Sequence, residues 1–252
     1  MISDPSFYLV AIPAVILFGL SKSGLGAALS IPSVPLIALY VSPLEAVAIM
    51  LPLMLVMDVV AVTAYRRDFD VRTLKIIVPG GIAGVIIGWL TASIVTDAHV
   101  RLMIGVIAVW FALAYWFGGG QQAEPKPHNP LKGRVWSTVS GFTSFVAHAG
   151  GVPLQMYTLP LKFDPRLLVG TSAMFLATVN VAKLPAYTAL GGYTREVLLT
   201  ALVLAPIAPI AILAGVWLVK RIPKGPFYQI TYAGVLLIGL KMLWDGATGL
   251  MG

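Results

Sequence analysis

Six long apolar segments dominate the sequence and constrain what it can fold into. They run at about 44–65, 73–95, 98–117, 165–188, 196–219 and 226–246. A helix of about 20 residues, rising about 1.5 Å per residue, crosses the roughly 30 Å hydrocarbon core of a bilayer. Charged residues make up 11% of the 252-residue chain and hydrophobic residues 58%, whereas a soluble domain is about 25% charged. The sequence therefore predicts an all-α polytopic membrane protein.

Two stretches interrupt this apolar pattern with small and polar residues. The first, at 19–35, reads GLSKSGLGAALSIPSVP, and the second, at 141–160, reads GFTSFVAHAGGVPLQMYTLP. They separate short apolar segments at about 6–20 and 24–40, and at about 135–147 and 150–160. A helix of about 15 residues is only about 22 Å long, so the first break is expected inside the membrane. Irregular backbone at that depth is buried in protein or lines a polar cavity, so we expect the two breaks to face one another across a substrate site.

The two halves of the chain carry a weak internal repeat. At an offset of 122 residues, four features coincide: Ser42-Pro43 with Asp164-Pro165, Gly19 with Gly141, Asp58 with Asn180, and Tyr65 with Tyr187. Internal duplication is common among membrane transporters. We therefore divide the chain into a first transmembrane repeat at 1–117, a polar linker at 118–134 and a second transmembrane repeat at 135–252. Each repeat is expected to hold a broken or re-entrant helix pair and three long transmembrane helices.

The distribution of positive charge predicts how the chain is oriented. If each break forms two short crossings or one re-entrant hairpin, one side of the membrane receives twelve basic residues: Arg66, Arg67, Arg72, Lys75, Lys126, Lys132, Arg134, Lys162, Arg166, Lys220, Arg221 and Lys224. The other side receives Arg101, Arg195 and Lys241. Because cytoplasmic loops are enriched in Lys and Arg, the first side is predicted to be cytoplasmic, with the linker there and both termini outside. The two repeats are then inverted relative to one another.

The first break combines the features of an anion-binding site. A helix expected to begin near 23–26 directs free N–H groups and the positive end of its dipole at the break. Gly24 and Gly26 permit close backbone approach, Ser23 adds a hydroxyl, and Lys22 adds a positive charge. The alternative is that Lys22 extends to the membrane surface and that the glycines serve helix packing.

The second break supplies a complementary set of polar groups. Its candidate substrate-binding residues are Ser144, His148, Gly150, Gly151 and Gln155. His148 is a candidate to donate to an anion or to carry a proton, although a buried histidine also serves as a structural hydrogen bonder. Ser144 and His148 are four residues apart, which raises the alternative of an intramembrane hydrolase. No G-x-S-x-G element accompanies them.

Polar residues within the long apolar segments extend this set. Asp58 and its repeat counterpart Asn180 lie in predicted membrane helices, where polar side chains are costly and usually functional. Asp58 is a second candidate for proton coupling, with pairing to Lys22 or capping of another helix as the alternatives. Asn180 is a candidate substrate ligand. Lys183 lies one turn from Asn180. Two interpretations are kept for Lys183: contact with a ligand, or extension to the membrane surface.

Several classes of site are disfavoured by composition. The chain has no cysteine and three widely spaced histidines, so we expect no metal centre and no cofactor. The net charge of +7 is explained by cytoplasmic loops, so no nucleic-acid partner is expected. The glycines 80, 81, 84 and 88 form a double G-x-x-x-G pattern, which predicts a helix-packing face.

With these motifs in view, the chain resembles the sulfite exporter TauE/SafE family from about residue 8 to 246. The resemblance is most specific at GLSKSGLG, PSVPL and SPLEAVA in the first half, and at HAGGVPL and DPRLLVGTSA in the second. It implies movement of sulfite, organosulfonates or other small anions across bacterial inner membranes.

The predicted function is a secondary transporter that exports a small anion, such as sulfite, sulfoacetate or a similar organosulfonate, by alternating access. The alternatives are an importer or carrier of another small solute, a membrane scaffold and an intramembrane hydrolase. The expected partners are the small anion and the lipid bilayer. Proton coupling and a homodimer are compatible with the sequence, which fixes neither.

Overall fold

The computed structural model describes residues 2, 4–25, 30, 33–91, 97–117 and 124–251, and regular secondary structure in these ranges is helical. The helices are α1 Pro5–Leu20, α2 Ser33–Ile37, α3 Pro43–Ala64, α4 Val71–Thr91, α5 Asp97–Phe117, α6 Pro130–Ala147, α7 Gly151–Thr158, α8 Pro165–Ala189, α9 Arg195–Leu204, α10 Ile207–Val219 and α11 Lys224–Met251. A π-helical turn, Ser21–Leu25, continues α1, and a 3₁₀ turn, Leu159–Leu161, follows α7.

Most of the predicted membrane crossings are present as apolar helices. Within the described residues, five helices are long and apolar enough to cross a bilayer: Pro5–Gly24, Glu45–Ala64, Val71–Thr91, Pro165–Ala189 and Gly225–Gly249. The pair α9 and α10 makes a sixth if it is counted as one bent span. The helix α5 occupies the remaining predicted segment, 98–117. The prediction of an all-helical, multi-pass membrane protein is therefore confirmed.

Four helices, α1, α3, α6 and α8, begin at a capping residue followed by proline. Asp4 accepts a hydrogen bond from the Ser6 amide, 2.9 Å, at the start of α1. Ser42 and Glu45 form a reciprocal capping box at the start of α3, and Asp164 precedes Pro165 at the start of α8. Proline suits the first helical position, where its missing N–H would have no partner within the helix. The Ser-Pro and Asp-Pro pairs that suggested a repeat therefore mark equivalent helix starts.

The helix predicted at 196–219 is broken in the middle. Its two parts, α9 and α10, meet at an angle of 43° around Ala205 and Pro206. Proline has no amide hydrogen to donate and its ring collides with the preceding turn. Pro206 therefore accounts for the break between α9 and α10.

The non-helical part of the linker ends at residue 129, five residues earlier than predicted. Residues 130–134, predicted to lie in the loop, form the first turn of α6 because Pro130 occupies its first position and Asn129 caps it. The Asn129 side chain accepts from the Lys132 amide, 3.0 Å. In the predicted segment 24–40, the described helix α2 begins only at Ser33, and 26–29 and 31–32 lie outside the described residues.

The segment just before α6 is held against the start of α4. The Asp70 carboxylate accepts from the Thr73 amide, 2.6 Å, and lies 3.3 Å from Nε2 of His128. Partial burial raises the pKa of a carboxyl, but the bonds from Thr73 and His128 outweigh this and lower the pKa of Asp70. The ionised carboxylate thus ties the linker to α4.

The predicted glycine face on α4 packs directly on α6. A Cβ atom on Gly84 would collide with the backbone of Thr138 and Phe142, and one on Gly141 would collide with the Gly81 carbonyl. Such close approach of two backbones is typical of small-residue faces in membrane helices. In the same bundle α5 packs on α11, α3 on α8 and α1 on α10. Of the polar residues in the candidate site, Asp58 lies on α3, and Asn180 and Lys183 lie on α8.

Candidate functional site

Both predicted breaks are present as departures from helical backbone. In the first, Gly24 has a φ of 108°, a conformation that side chains with a Cβ rarely adopt, and a Cβ there would collide with Val169. In the second, His148 has a φ of 53° and ends α6, and Gly150 precedes α7. The sequence-based prediction of two irregular segments is confirmed at these residues.

A cavity of about 80 Å³ lies between the two breaks. Most of the predicted substrate-binding residues line it: Lys22, Gly24, Ser144, His148, Gly150, Gly151, Gln155 and Asn180. Drug-sized ligands occupy pockets of about 300–1,000 Å³, so this cavity suits a small solute. The two halves of the chain both contribute to its wall.

Three predicted residues are not seen on the cavity wall. The Ser23 hydroxyl donates to the Leu20 carbonyl, 2.6 Å, and its side chain packs against Gly215. Asp58 lies behind the wall, in contact with Lys22 and Asn180. Gly26, together with part of the helix start expected at 23–26, lies outside the described residues.

The charged centre of the site is a buried ion pair. Lys22 Nζ lies 2.7 Å from Asp58 Oδ1, and it also donates to the Met54 carbonyl at 3.2 Å. The other carboxylate oxygen, Asp58 Oδ2, accepts from Asn180 Nδ2 at 2.7 Å. Since the Lys22 side chain is only 3% exposed, extension to the membrane surface is wrong for Lys22, and its pairing with Asp58 is confirmed.

The polar network continues from Asn180 to the second break. Lys183 Nζ donates to Asn180 Oδ1, 3.1 Å, and lies 3.2 Å from His148 Nδ1. Lys183 is fully buried at 0% exposure, so extension to the surface is wrong for it as well. Hydrogen bonds and ion pairs thus join Lys22, Asp58, Asn180, Lys183 and His148 into one chain that links the two breaks.

The His148 ring contacts groups from both halves of the chain. Its Nε2 lies 3.2 Å from the Val47 carbonyl, and its Nδ1 is close to both Lys183 Nζ and the Ser144 carbonyl. With its hydrogen on Nε2, the ring donates to Val47 and accepts from Lys183. Nδ1 contacts the backbone oxygen of Ser144, and in the described part of the chain no bond joins the ring to the Ser144 hydroxyl.

Sequence reasoning missed a stripe of cavity residues on α8. Leu168, Ser172 and Leu176 line the cavity together with Asn180, at intervals of four residues. Residues four apart lie on the same face of a helix, so the position of Asn180 contained the signal that could have identified Ser172. Gln155 also lines the cavity, and its Oε1 atom is buried and accepts no hydrogen bond from the described residues. It is therefore available to a ligand's hydrogen-bond donor or to water.

A family model described as sulfite exporter TauE/SafE matches residues 11–242. The chain belongs to the TauE/SafE family. This membership assigns it to membrane transport of sulfur anions at the level of the family, which is a transporter family and not an enzyme family. No curated protein and no solved structure was found to match the chain significantly.

The family match spans both irregular segments of this TauE/SafE protein. It begins within α1 and ends within α11, so it includes all eight predicted residues that line the cavity. The candidate site therefore lies within the residues that match the family model.

Proposed function

We propose that this protein is a secondary transporter that exports a small sulfur oxyanion or organosulfonate through the cavity between the two breaks. The observation that carries the proposal is the buried polar network at the cavity wall. It contains two amino groups, those of Lys22 and Lys183, and one carboxylate, that of Asp58. A bound anion would supply a second negative charge beside these groups, where buried charge is costly unless it is paired.

Lys22 is the group proposed to exchange partners during transport. It lines the cavity while its ammonium contacts Asp58. An anion that enters the cavity would compete with Asp58 for this ammonium, and Asn180 would retain one carboxylate oxygen. The Ser144 hydroxyl and the backbone near Gly150 and Gly151 offer further polar contacts to anion oxygens. The volume of about 80 Å³ favours an ion of the size of sulfite or a short sulfonate.

Alternating access is proposed to use two inverted repeats, and internal contacts support this. Tyr65 donates to the Ser23 carbonyl at 3.2 Å, and Tyr187 donates to the Phe145 carbonyl at 2.7 Å. Donor and acceptor shift together by the repeat offset of 122, so the same bond occurs in both halves. Asp58 and Asn180, which are equivalent at that offset, contact each other. Contact between equivalent residues is expected near a two-fold axis that relates the repeats.

The proposed direction and orientation rest on charge. With the twelve basic residues of the linker side in the cytoplasm, both termini face outward across an inner membrane. An inside-negative potential favours exit of an anion by about 2.3 kcal/mol per charge per 100 mV. Export of a net negative charge would therefore need no ATP. Asp58 and His148 remain the two candidates for proton coupling. Measuring proton flux together with anion flux distinguishes coupled from uncoupled transport.

The proposal is tested by flux of labelled sulfite and sulfoacetate in proteoliposomes. The informative variant is Lys22→Gln combined with Asp58→Asn, because it removes both charges and leaves neither unpaired. Hydrogen bonds to charged groups contribute about 1.5–3 kcal/mol, so the half-saturating anion concentration should rise by roughly tenfold to one hundredfold.

Lys241→Gln combined with Asp245→Asn is the matched control. It removes an ion pair of the same length, 2.7 Å, whose lysine side chain is 58% exposed. The control should transport like the unmodified protein. Normal half-saturation in the Lys22/Asp58 variant would contradict an anion site at Lys22, and absence of saturable flux in the unmodified protein would favour a scaffold.

A further inference from the structure

A second, larger cavity lies away from the transport site. It has a volume of about 500 Å³ and lies between the C-terminal half of α5, the start of α6 and the 3₁₀ turn after α7. We call it the lysine–aromatic pocket. Its apolar wall includes Trp110, Phe111, Tyr115, Trp136 and Tyr232, and its rim carries Glu124, Lys126, Lys132 and Lys162. None of these residues lines the cavity between the breaks.

The aromatic wall is closely stacked and contains a hydroxyl without a partner. The ring centroids of Tyr115 and Tyr232 are 3.6 Å apart. The Phe111 ring also stacks on Tyr232, with centroids 5.4 Å apart. The Tyr115 hydroxyl oxygen is buried and makes no hydrogen bond to the described residues. Buried polar groups are normally hydrogen-bonded, so this hydroxyl indicates that something else provides its partner.

The rim of the pocket has a net positive charge. Three lysines and one glutamate line it, and Lys162 Nζ lies 5.7 Å from the centroid of the Tyr115 ring. Lys126 and Lys132 are exposed. Their positions favour an occupant that carries a negative charge near the Tyr115 hydroxyl.

The segment around Lys126 is held in place by hydrogen bonds on both sides. The Lys126 amide donates to the Pro160 carbonyl at 2.9 Å. On the far side of the segment, His128 contacts Asp70 and Asn129 caps α6. The pocket is thus held in shape before a ligand arrives, which lowers the entropic cost of binding.

The outer side of the pocket reaches the surface that a bilayer would cover. Trp110 is 66% exposed, and Phe117 at the end of α5 is 87% exposed. Exposed aromatic residues near the ends of membrane helices usually lie at the level of lipid headgroups. An occupant that enters from the bilayer would bring a charged head and an apolar chain, and the pocket offers a surface for each.

We propose that the lysine–aromatic pocket binds an anionic phospholipid. The headgroup phosphate lies among the three lysines and accepts from the Tyr115 hydroxyl, and an acyl chain runs out past Trp110. Basic pockets between membrane helices on the cytoplasmic side are a common form of lipid recognition. This binding does not depend on which solute the protein transports.

The test measures binding to the purified full-length protein in detergent by native mass spectrometry. The probes are phosphatidylglycerol, phosphatidylcholine with the same acyl chains, and glycerol 3-phosphate. Phosphatidylglycerol should bind at least about tenfold more tightly than either of the others, because only it has both a net negative charge and an acyl chain. Similar binding of the two lipids, or equally tight binding of glycerol 3-phosphate, would overturn the proposal.

Two variants locate the binding in the pocket. Lys126→Gln with Lys132→Gln should weaken phosphatidylglycerol binding about thirtyfold, since each lysine near a lipid surface contributes about a factor of five. Arg66→Gln with Arg67→Gln is the control, because it removes the same charge from exposed residues outside the pocket. Tyr115→Phe keeps the ring and should weaken binding severalfold. Equal losses in the lysine variant and the control would refute the assignment to this pocket.

Discussion

At the scale of single residues, Asp58 connects the two halves of the site. One of its carboxylate oxygens contacts Lys22 in the first half, and the other accepts from Asn180 in the second. The Asp58 side chain is 6% exposed. Among the described acidic residues, Asp58 is the one that is buried. Its charge is therefore balanced mainly by one lysine, and removal of either partner should be costly.

Asp58→Ala should destabilise the protein by about 3–5 kcal/mol, because it leaves the Lys22 ammonium buried without a carboxylate. Lys22→Met combined with Asp58→Leu should recover most of this loss, since it removes both charges. The measurement is thermal unfolding of the purified protein in detergent. Asp245→Ala is the control, because its ion pair with Lys241 is exposed and should contribute less than about 1 kcal/mol. Equal shifts for Asp58→Ala and Asp245→Ala would contradict this account.

At the scale of helices, the contact between α4 and α6 depends on small residues. Gly141→Ala places a methyl group against the Gly81 carbonyl. The helices must then separate, at a cost of about 1–3 kcal/mol for overpacking. Thermal unfolding in detergent measures the effect.

Gly192→Ala is the matched control for this prediction. A Cβ on Gly192 would meet its nearest neighbour at 3.4 Å, an ordinary contact distance. The unfolding temperature of the Gly192→Ala variant should stay close to that of the unmodified protein. If Gly141→Ala were equally harmless, close packing at Gly81 would not be what holds α4 against α6.

The sequence predicted the helices and the breaks better than the contacts between them. Long apolar segments and breaks made of small and polar residues are local features, so they could be recognised along the chain. The start of α6 was missed because a proline-rich stretch suggests a loop, whereas Pro130 occupies a first helical position where proline is favoured. The burial of Lys183 was left open because the depth of a lysine depends on which helices surround it, which the sequence alone does not show.

The candidate site shows the same division between local and tertiary information. Alignment of the halves singled out Asp58 and Asn180 as equivalent, but it could not show that they bond to each other at 2.7 Å. Ser23 was expected to contribute its hydroxyl to the anion site beside Lys22, yet this hydroxyl donates to the Leu20 carbonyl. Neighbours in sequence point to different sides of a helix, so adjacency is a poor guide to lining a cavity.

At the scale of the whole molecule, the proposed membrane orientation can be tested by labelling cysteines introduced one at a time. The chain has no cysteine of its own that would react. Arg195→Cys should react with a membrane-impermeant maleimide on intact cells. Glu124→Cys should react only after the membrane is permeabilised. Both positions are exposed, so differences in reactivity report the side of the membrane. Labelling of Glu124→Cys in intact cells would reverse the assigned topology.

The contact between Asp58 and Asn180 also bears on how such a chain could have arisen. In a symmetric dimer of separate half-length chains, identical side chains face one another near the two-fold axis. Two aspartates in this position would be about 3 Å apart and could not both be ionised. Once two gene copies are fused, each can change alone, and one acid can become an amide that donates to the other. Fusion therefore permits an asymmetric centre that an ancestral homodimer could not have built.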